Sequence, residues 1–203
     1  MKKENILKQI VLQEYGEKQH PKLTKNQFLL SSELYFEVER MYKELGGTQE
    51  EPPLKFGAWD ISTPKFIMEL DEENHFNRYR LQTLNSNIYQ SIKGFPLEAY
   101  KQFCRQYESR CRKFGGYWKS DSSENLFMKS NDNGCLNEAG SSRWKQRAFY
   151  DFLRDVTGLI KGIPVIRLSI YQTFKGKNVQ NIIESKDKIM ILDLVKTIVE
   201  EWS

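Results

Sequence analysis

The stretch from Phe56 to Arg80, FGAWDISTPKFIMELDEENHFNRYR, spaces Asp60, Glu69 and Asp71 so that two short strands can bring them together. It reads as a short strand ending in Asp60, a turn at Ser62-Thr63-Pro64, and a second strand from about Lys65 to Asp71. Alternation along that second strand sends Phe66, Met68 and Leu70 to one face and Ile67, Glu69 and Asp71 to the other. A hairpin would bring Asp60 close to Glu69 and Asp71. Three carboxylates meeting at a strand end repel one another unless a cation lies between them, and hard oxygen ligands suit Mg²⁺ or Mn²⁺.

A chain of 203 residues with 39% hydrophobic and 13% aromatic residues can bury the core of one domain. Its formal net charge of +4 is compatible with nucleic acid but does not demand it. No apolar run approaches the roughly 20 residues of a membrane span. The start, MKKENILKQIVLQEYGEK, has no uninterrupted apolar segment of the signal-peptide kind. Cys104, Cys111 and Cys135 are expected as reduced thiols, and the chain as cytoplasmic.

Residues 4–15 read as a short amphipathic helix. Ser31-Ser32 precede a helix from Glu33 to Leu45, with Leu34, Val38, Met41, Tyr42 and Leu45 at helical spacing and Gly46-Gly47 as its stop. Glu33 and Glu37 lie one turn apart on it, either as a solvated face or as extra carboxylates for the metal cluster.

A helix with a Glu, a strand ending in Asp and a strand ending in Glu-x-polar resemble the PD-(D/E)XK nuclease core. More narrowly, WDIS…KFIMELDEENHF resembles the branch containing the very-short-patch-repair (Vsr) endonucleases. The resemblance implies an α/β (α+β) fold, a restriction-endonuclease-like core with a central mixed sheet flanked by helices. It also implies Mg²⁺- or Mn²⁺-dependent hydrolysis of a phosphodiester, with DNA favoured over RNA, in repair or defence. Asp60 matches the first acidic position, Glu69 the second, and His75 the downstream His. Asp71 stands where a typical member has Lys, and Glu72 where the branch has Gly.

Chemically, such a reaction needs neutralised charge on the phosphate and a deprotonated water, which carboxylate-bound metal provides. His75 would orient the water or protonate the leaving oxygen, or be a plain core-edge histidine. Arg78 and Arg80 would clamp phosphate or pair with Glu72 and Glu73.

Leu81 to Ile92 and Leu97 to Lys113 read as helices, the second with Tyr100, Phe103, Cys104, Tyr107 and Cys111 as its stripe. Zinc on His75, Cys111 and Cys135 is not expected, since the tight ligand spacing is missing. Gly115 to Ser142 reads as a long loop bearing Trp118 and Lys119, a nucleic-acid contact or an insertion. Ser141-Ser142 start a helix from Arg143 to about Leu159. The positive charge of Arg143, Lys145 and Arg147 at its N-terminus opposes the helix dipole unless an anion faces it. Some nuclease variants take the missing strand Lys from a neighbouring helix, and the resemblance makes Lys145 the candidate.

Val165 to Tyr171 reads as a strand, Gln172 to Val179 as a polar loop, and Glu184 to Trp202 as a final helix with Ile189, Leu192, Val195, Val199 and Trp202 in phase. The chain is thus expected as a single domain, 1–203. Its core is 28–80 and 143–203, and 81–142 is a mostly helical and loop insertion. A protein partner for recruitment follows from the small surplus charge. The alternative is an inactive nuclease-fold binding subunit of a defence or repair complex.

Overall fold

The computed structural model describes residues 2–114 and 117–202. Helix takes 56% of the protein and strand 9%, so a small mixed sheet is set among helices. Three helices come first: α1 (Lys3–Tyr15), α2 (Lys25–Leu30) and α3 (Ser32–Glu44). Then come β1 (Ile61–Ser62) and β2 (Ile67–Asp71), a 3-10 turn at Glu73–His75, and α4 (Arg78–Thr83). A second 3-10 turn at Asn87–Gln90 leads to α5 (Leu97–Phe114), α6 (Asp121–Leu126) and α7 (Ser142–Lys161). The chain ends with β3 (Val165–Ser169), a small hairpin of β4 (Thr173–Phe174) and β5 (Lys177–Asn178), and helices α8 (Val179–Ser185) and α9 (Lys188–Trp202).

Sheet order is β1-β2-β3. β1 is antiparallel to β2, with Ile61 opposite Met68, and β3 is parallel to β2, with Glu69 opposite Arg167 and Asp71 opposite Ser169. The β1–β2 hairpin is pinned by Thr63, whose amide donates to Phe66 O (3.0 Å) and whose hydroxyl accepts from Phe66 N (3.1 Å). A parallel pair needs a long crossover; here α4 to α7 supply it. All five residues of β2 and all five of β3 are buried, as expected for central strands covered on both faces. One face looks to α7, from which Arg154 reaches Glu69. On the other side α1 brings Tyr15 edge-on to Phe66, with ring centroids 5.1 Å apart.

α7 is the longest helix and carries half of the site. Ser141 caps it, its hydroxyl accepting from Trp144 N (3.2 Å), and Gly162 ends it at φ +61°, a left-handed turn that favours glycine. Trp144, Ala148, Phe152 and Val156 are buried at helical spacing.

Several boundaries differ from the sequence expectation. Asp60 precedes β1 instead of ending a strand. The expected helix 81–92 divides, because Ser86 caps the 3-10 turn by accepting from Ile88 N (3.3 Å). Within 115–142, Gly115 and Gly116 lie outside the described residues. The rest holds α6 and a buried Trp118 that packs on Trp144 (5.1 Å) and donates to Asn131 O (2.9 Å). In place of the polar loop expected at 172–179, Thr173 to Asn178 form the β4–β5 hairpin and Val179 opens α8. The final helix breaks at Lys186, whose φ is +59°, so α9 buries Ile191, Leu194, Val195, Ile198 and Trp202 while Ile189 is exposed. Among the described residues no helix is long and apolar enough to cross a membrane.

Candidate functional site at the carboxyl end of β2

Asp60 and Glu69 clasp each other across the hairpin. The Asp60 amide donates to Glu69 Oε1 (3.2 Å), and Asp60 Oδ2 accepts from Leu70 N (2.9 Å). These bonds follow from the antiparallel pairing, and both residues line a cavity of about 320 Å³. Glu69, His75, Asp151, Arg143, Arg147 and Arg154 line it beside Asp60. Burial pushes the Asp60 carboxyl up. Burial pushes Glu69 up to about 8 as well, Arg154 offsetting part of the effect and Asp60 adding to it.

Asp71 shares a strand face with Glu69, as the alternation requires, yet its oxygens are already committed. Oδ1 accepts from Arg167 Nη1 (2.9 Å) and Oδ2 from the Tyr100 hydroxyl (3.0 Å). The expected three-carboxylate cluster therefore presents two members, Asp60 and Glu69, to the cavity.

His75 sits on the 3-10 turn after β2. Its Nδ1 is 2.8 Å from Asp151 Oδ2 and 3.2 Å from Asp71 Oδ1. Burial pulls His75 down, but the two carboxylates outweigh it and the net shift is upward. Burial likewise opposes ionisation of Asp151, and His75 and Arg167 reverse that, holding it well below the usual carboxylate range. Asp71, His75 and Asp151 could also gather around an ion, since one ligand atom from each lies within 4.8 Å of the others.

Behind them lies a buried ionic network. Arg167, with no exposed surface, reaches Asp155 Oδ1 (2.9 Å), Asp151 Oδ1 (3.3 Å) and the Asp151 carbonyl (2.8 Å) besides Asp71. Arg80 Nη2 meets Asp155 Oδ2 (2.9 Å), and its Nη1 donates to Tyr89 Oη (2.8 Å). With His75 protonated and Glu69 ionised, Arg80, Arg154, Arg167 and His75 balance Glu69, Asp71, Asp151 and Asp155. Asp60 stands outside these pairs, with Arg143 and Arg147 lining the same cavity.

The other residues singled out from sequence lie elsewhere. Arg80 is buried in this network and so is closed to nucleic acid. Arg78 pairs with Glu108 (2.8 Å), not with Glu72 or Glu73, which face Lys3. Lys145 is buried, its ammonium 5.5 Å from the Tyr79 ring centroid and outside the cavity lining. Glu37 is taken by Arg40 and Ser86, while Glu33 and Lys119 are exposed. Arg143 and Arg147 do line the cavity, on successive turns of α7. Cys104 and Cys111 are buried, their thiols pushed up to about 12 by that burial, and among the described residues no cysteine joins a metal-binding group.

Sequence reasoning missed Asp151, Arg154, Asp155 and Arg167. A signal was present, because Arg147, Asp151, Arg154 and Asp155 fall on one side of α7 beside its apolar stripe, and an Arg inside the apolar run VIRLSIY has to find a carboxylate.

The mixed α/β architecture and this cavity fall within a wider family. Residues 40–185 match a family described as a family of unknown function (DUF7255), and the chain belongs to it. The matched span contains every residue of the cavity and of the ionic network. No curated protein and no solved structure matches the chain.

Proposed function

We propose that the cavity is the active site of a Mg²⁺- or Mn²⁺-dependent phosphodiesterase that cuts nucleic acid, DNA in preference to RNA, on a restriction-endonuclease-like core. The observation that carries this reading is the Asp60–Glu69 clasp facing Arg143 and Arg147 across one recess. The donor set fits a hard divalent cation, which commonly takes one or two carboxylates and completes its shell with water and phosphate. Asp60, which makes no ion pair with the arginines of the network, supplies a carboxylate of the kind such an ion takes. When bound there, the ion neutralises charge on the scissile phosphate and acidifies a water.

The remaining work belongs to side chains. Arg143 and Arg147 hold phosphate oxygens, a role guanidinium groups suit. Asp151 holds the His75 ring through Nδ1, and His75, which lines the cavity, is the proton donor for the leaving oxygen. The core resemblance rests on the order of helix, antiparallel pair, crossover helix and parallel strand around an acidic strand end. The site's place is taken to be the cytoplasm, and recruitment by a protein partner fits the surplus charge of +4.

A second reading is a metal-free binding subunit. Arg154 beside Glu69 and the commitment of Asp71 to Arg167 and Tyr100 favour it, since charges are nearly paired without an ion. Labelled single- and double-stranded DNA and RNA, incubated with Mg²⁺, Mn²⁺ or EDTA, separate the two. Cleavage only with metal, lost in Asp60→Asn, supports the phosphodiesterase. Binding that ignores both metal and Asp60→Asn, with no cleavage, supports the binding subunit and sinks the first reading.

A further inference from the structure

The arginines that meet the acidic cluster are held in different ways. Arg167 is fully buried, and each of its three guanidinium nitrogens has an acceptor within 3.3 Å. Arg154 is held loosely. Its Nε is 3.1 Å from Glu69 Oε2 but not aligned as a hydrogen bond, and Nε has no other acceptor. Nη1 is 3.7 Å from Asp151 Oδ1, and Nη2 is 3.4 Å from the Ala58 carbonyl. Well-made guanidinium–carboxylate pairs lie at about 2.7–2.9 Å and are often bidentate. The Arg154 side chain keeps 13% of its surface exposed, into the cavity that Arg143 and Arg147 also line. Its guanidinium lies 5.1 Å from the Phe56 ring centroid, a contact that steadies the side chain without fixing its donors.

Arg154 thus occupies Glu69 Oε2, one of the few oxygens open to a divalent cation. Two cations at one carboxylate oxygen repel by several kcal/mol even at an effective dielectric of about 20. We infer that Arg154 is an exchangeable counter-cation: it lies against Glu69 Oε2 in the free protein, yields that oxygen to the arriving divalent cation, and turns its guanidinium to the nucleic-acid phosphate. The inference rests on the proposed metal-dependent reading of the same cavity. It assigns Arg154 a place in substrate binding and makes metal and phosphate arrive together, which keeps the site from holding metal tightly when no nucleic acid is present.

The test is Mn²⁺ calorimetry without nucleic acid, on wild type, Arg154→Gln and Arg154→Met, the last retaining an apolar stem over Phe56. Affinity for a phosphorothioate single-stranded oligonucleotide in saturating Mn²⁺ is measured on the same proteins, with thermal unfolding as the control for folding. Removing the competing charge is expected to tighten Mn²⁺ on the order of tenfold and to weaken the oligonucleotide by a similar factor. A merely structural arginine would not move the two affinities in opposite directions. Mn²⁺ affinity unchanged or weakened in a folded variant overturns the inference and leaves the metal site standing. No Mn²⁺ binding in wild type or either variant overturns the inference together with the reading beneath it.

Discussion

Arg167 Nη1 lies 2.9 Å from Asp71 Oδ1, and both residues are buried, on neighbouring parallel strands. This pair, and not the Glu69 that stands opposite Arg167 in register, anchors the network behind the cavity. It turns Asp71 inward and leaves Glu69 to Arg154.

Because Arg167 meets three aspartates, its removal leaves buried charge without compensation. Arg167→Met is expected to destabilise the protein by about 3–5 kcal/mol, read from the midpoint of urea unfolding. The double substitution Arg167→Met/Asp71→Asn should recover part of the loss. If the single substitution proves neutral, the network is not a stabilising core.

Much of this arrangement was present in the sequence, but unevenly. Alternation in KFIMELD put Glu69 and Asp71 on one face, and so they are. The Asp60–Glu69 clasp followed from the turn between them. Which carboxylate faces the cavity did not, because the partner of Asp71 lies 96 residues away and only the parallel pairing brings it near. Lys145 looked like the replacement cation because it belongs to a basic helix start. On α7 it points to Tyr79, and the cation beside Glu69 is Arg154, more than two turns further on. The phase of α9 slipped for a local reason, since Lys186 breaks the run and restarts the helix with Ile189 outward.

His75 and Asp151 give a pH signature. The raised pKa of His75 contributes stability below its ordinary 6.5, and that stability is lost as pH rises through the folded value. With two histidines in the chain, proton NMR titration resolves His75 from His20. Asp151→Asn should lower the His75 midpoint; an unchanged midpoint would show that Asp151 does not hold the imidazolium.

Glu69 has the same pH sense, through burial instead of an ion pair. Its carboxyl, pushed from 4.5 to about 8 by burial, binds a proton in the fold that the unfolded chain has lost, so stability falls across that window as pH rises. In EDTA, Glu69→Gln should therefore raise stability at pH 8 by about 2–3 kcal/mol. The gain should shrink at pH 5. A destabilised variant at pH 8 would mean that the Arg154 contact outweighs the burial cost.

The cavity arginines and Lys145 part company in binding. Arg147→Gln should weaken oligonucleotide binding and reduce the salt dependence by nearly 1 in the slope of log affinity against log salt, as for one phosphate contact. Lys145→Gln should leave both unchanged. Equal effects from the two substitutions would place the nucleic acid over the α7 N-terminus instead of in the recess.

The central claim is that Asp60 and Glu69 hold a divalent cation. Calorimetric titration of Mn²⁺ into wild type, Asp60→Asn/Glu69→Gln and His75→Gln tests it most directly. One ion per chain is expected in wild type and in His75→Gln, and none in the carboxylate double variant. Binding that survives the double variant but disappears with His75→Gln would move the ion to Asp71, His75 and Asp151. Absence of binding in wild type would contradict the account outright.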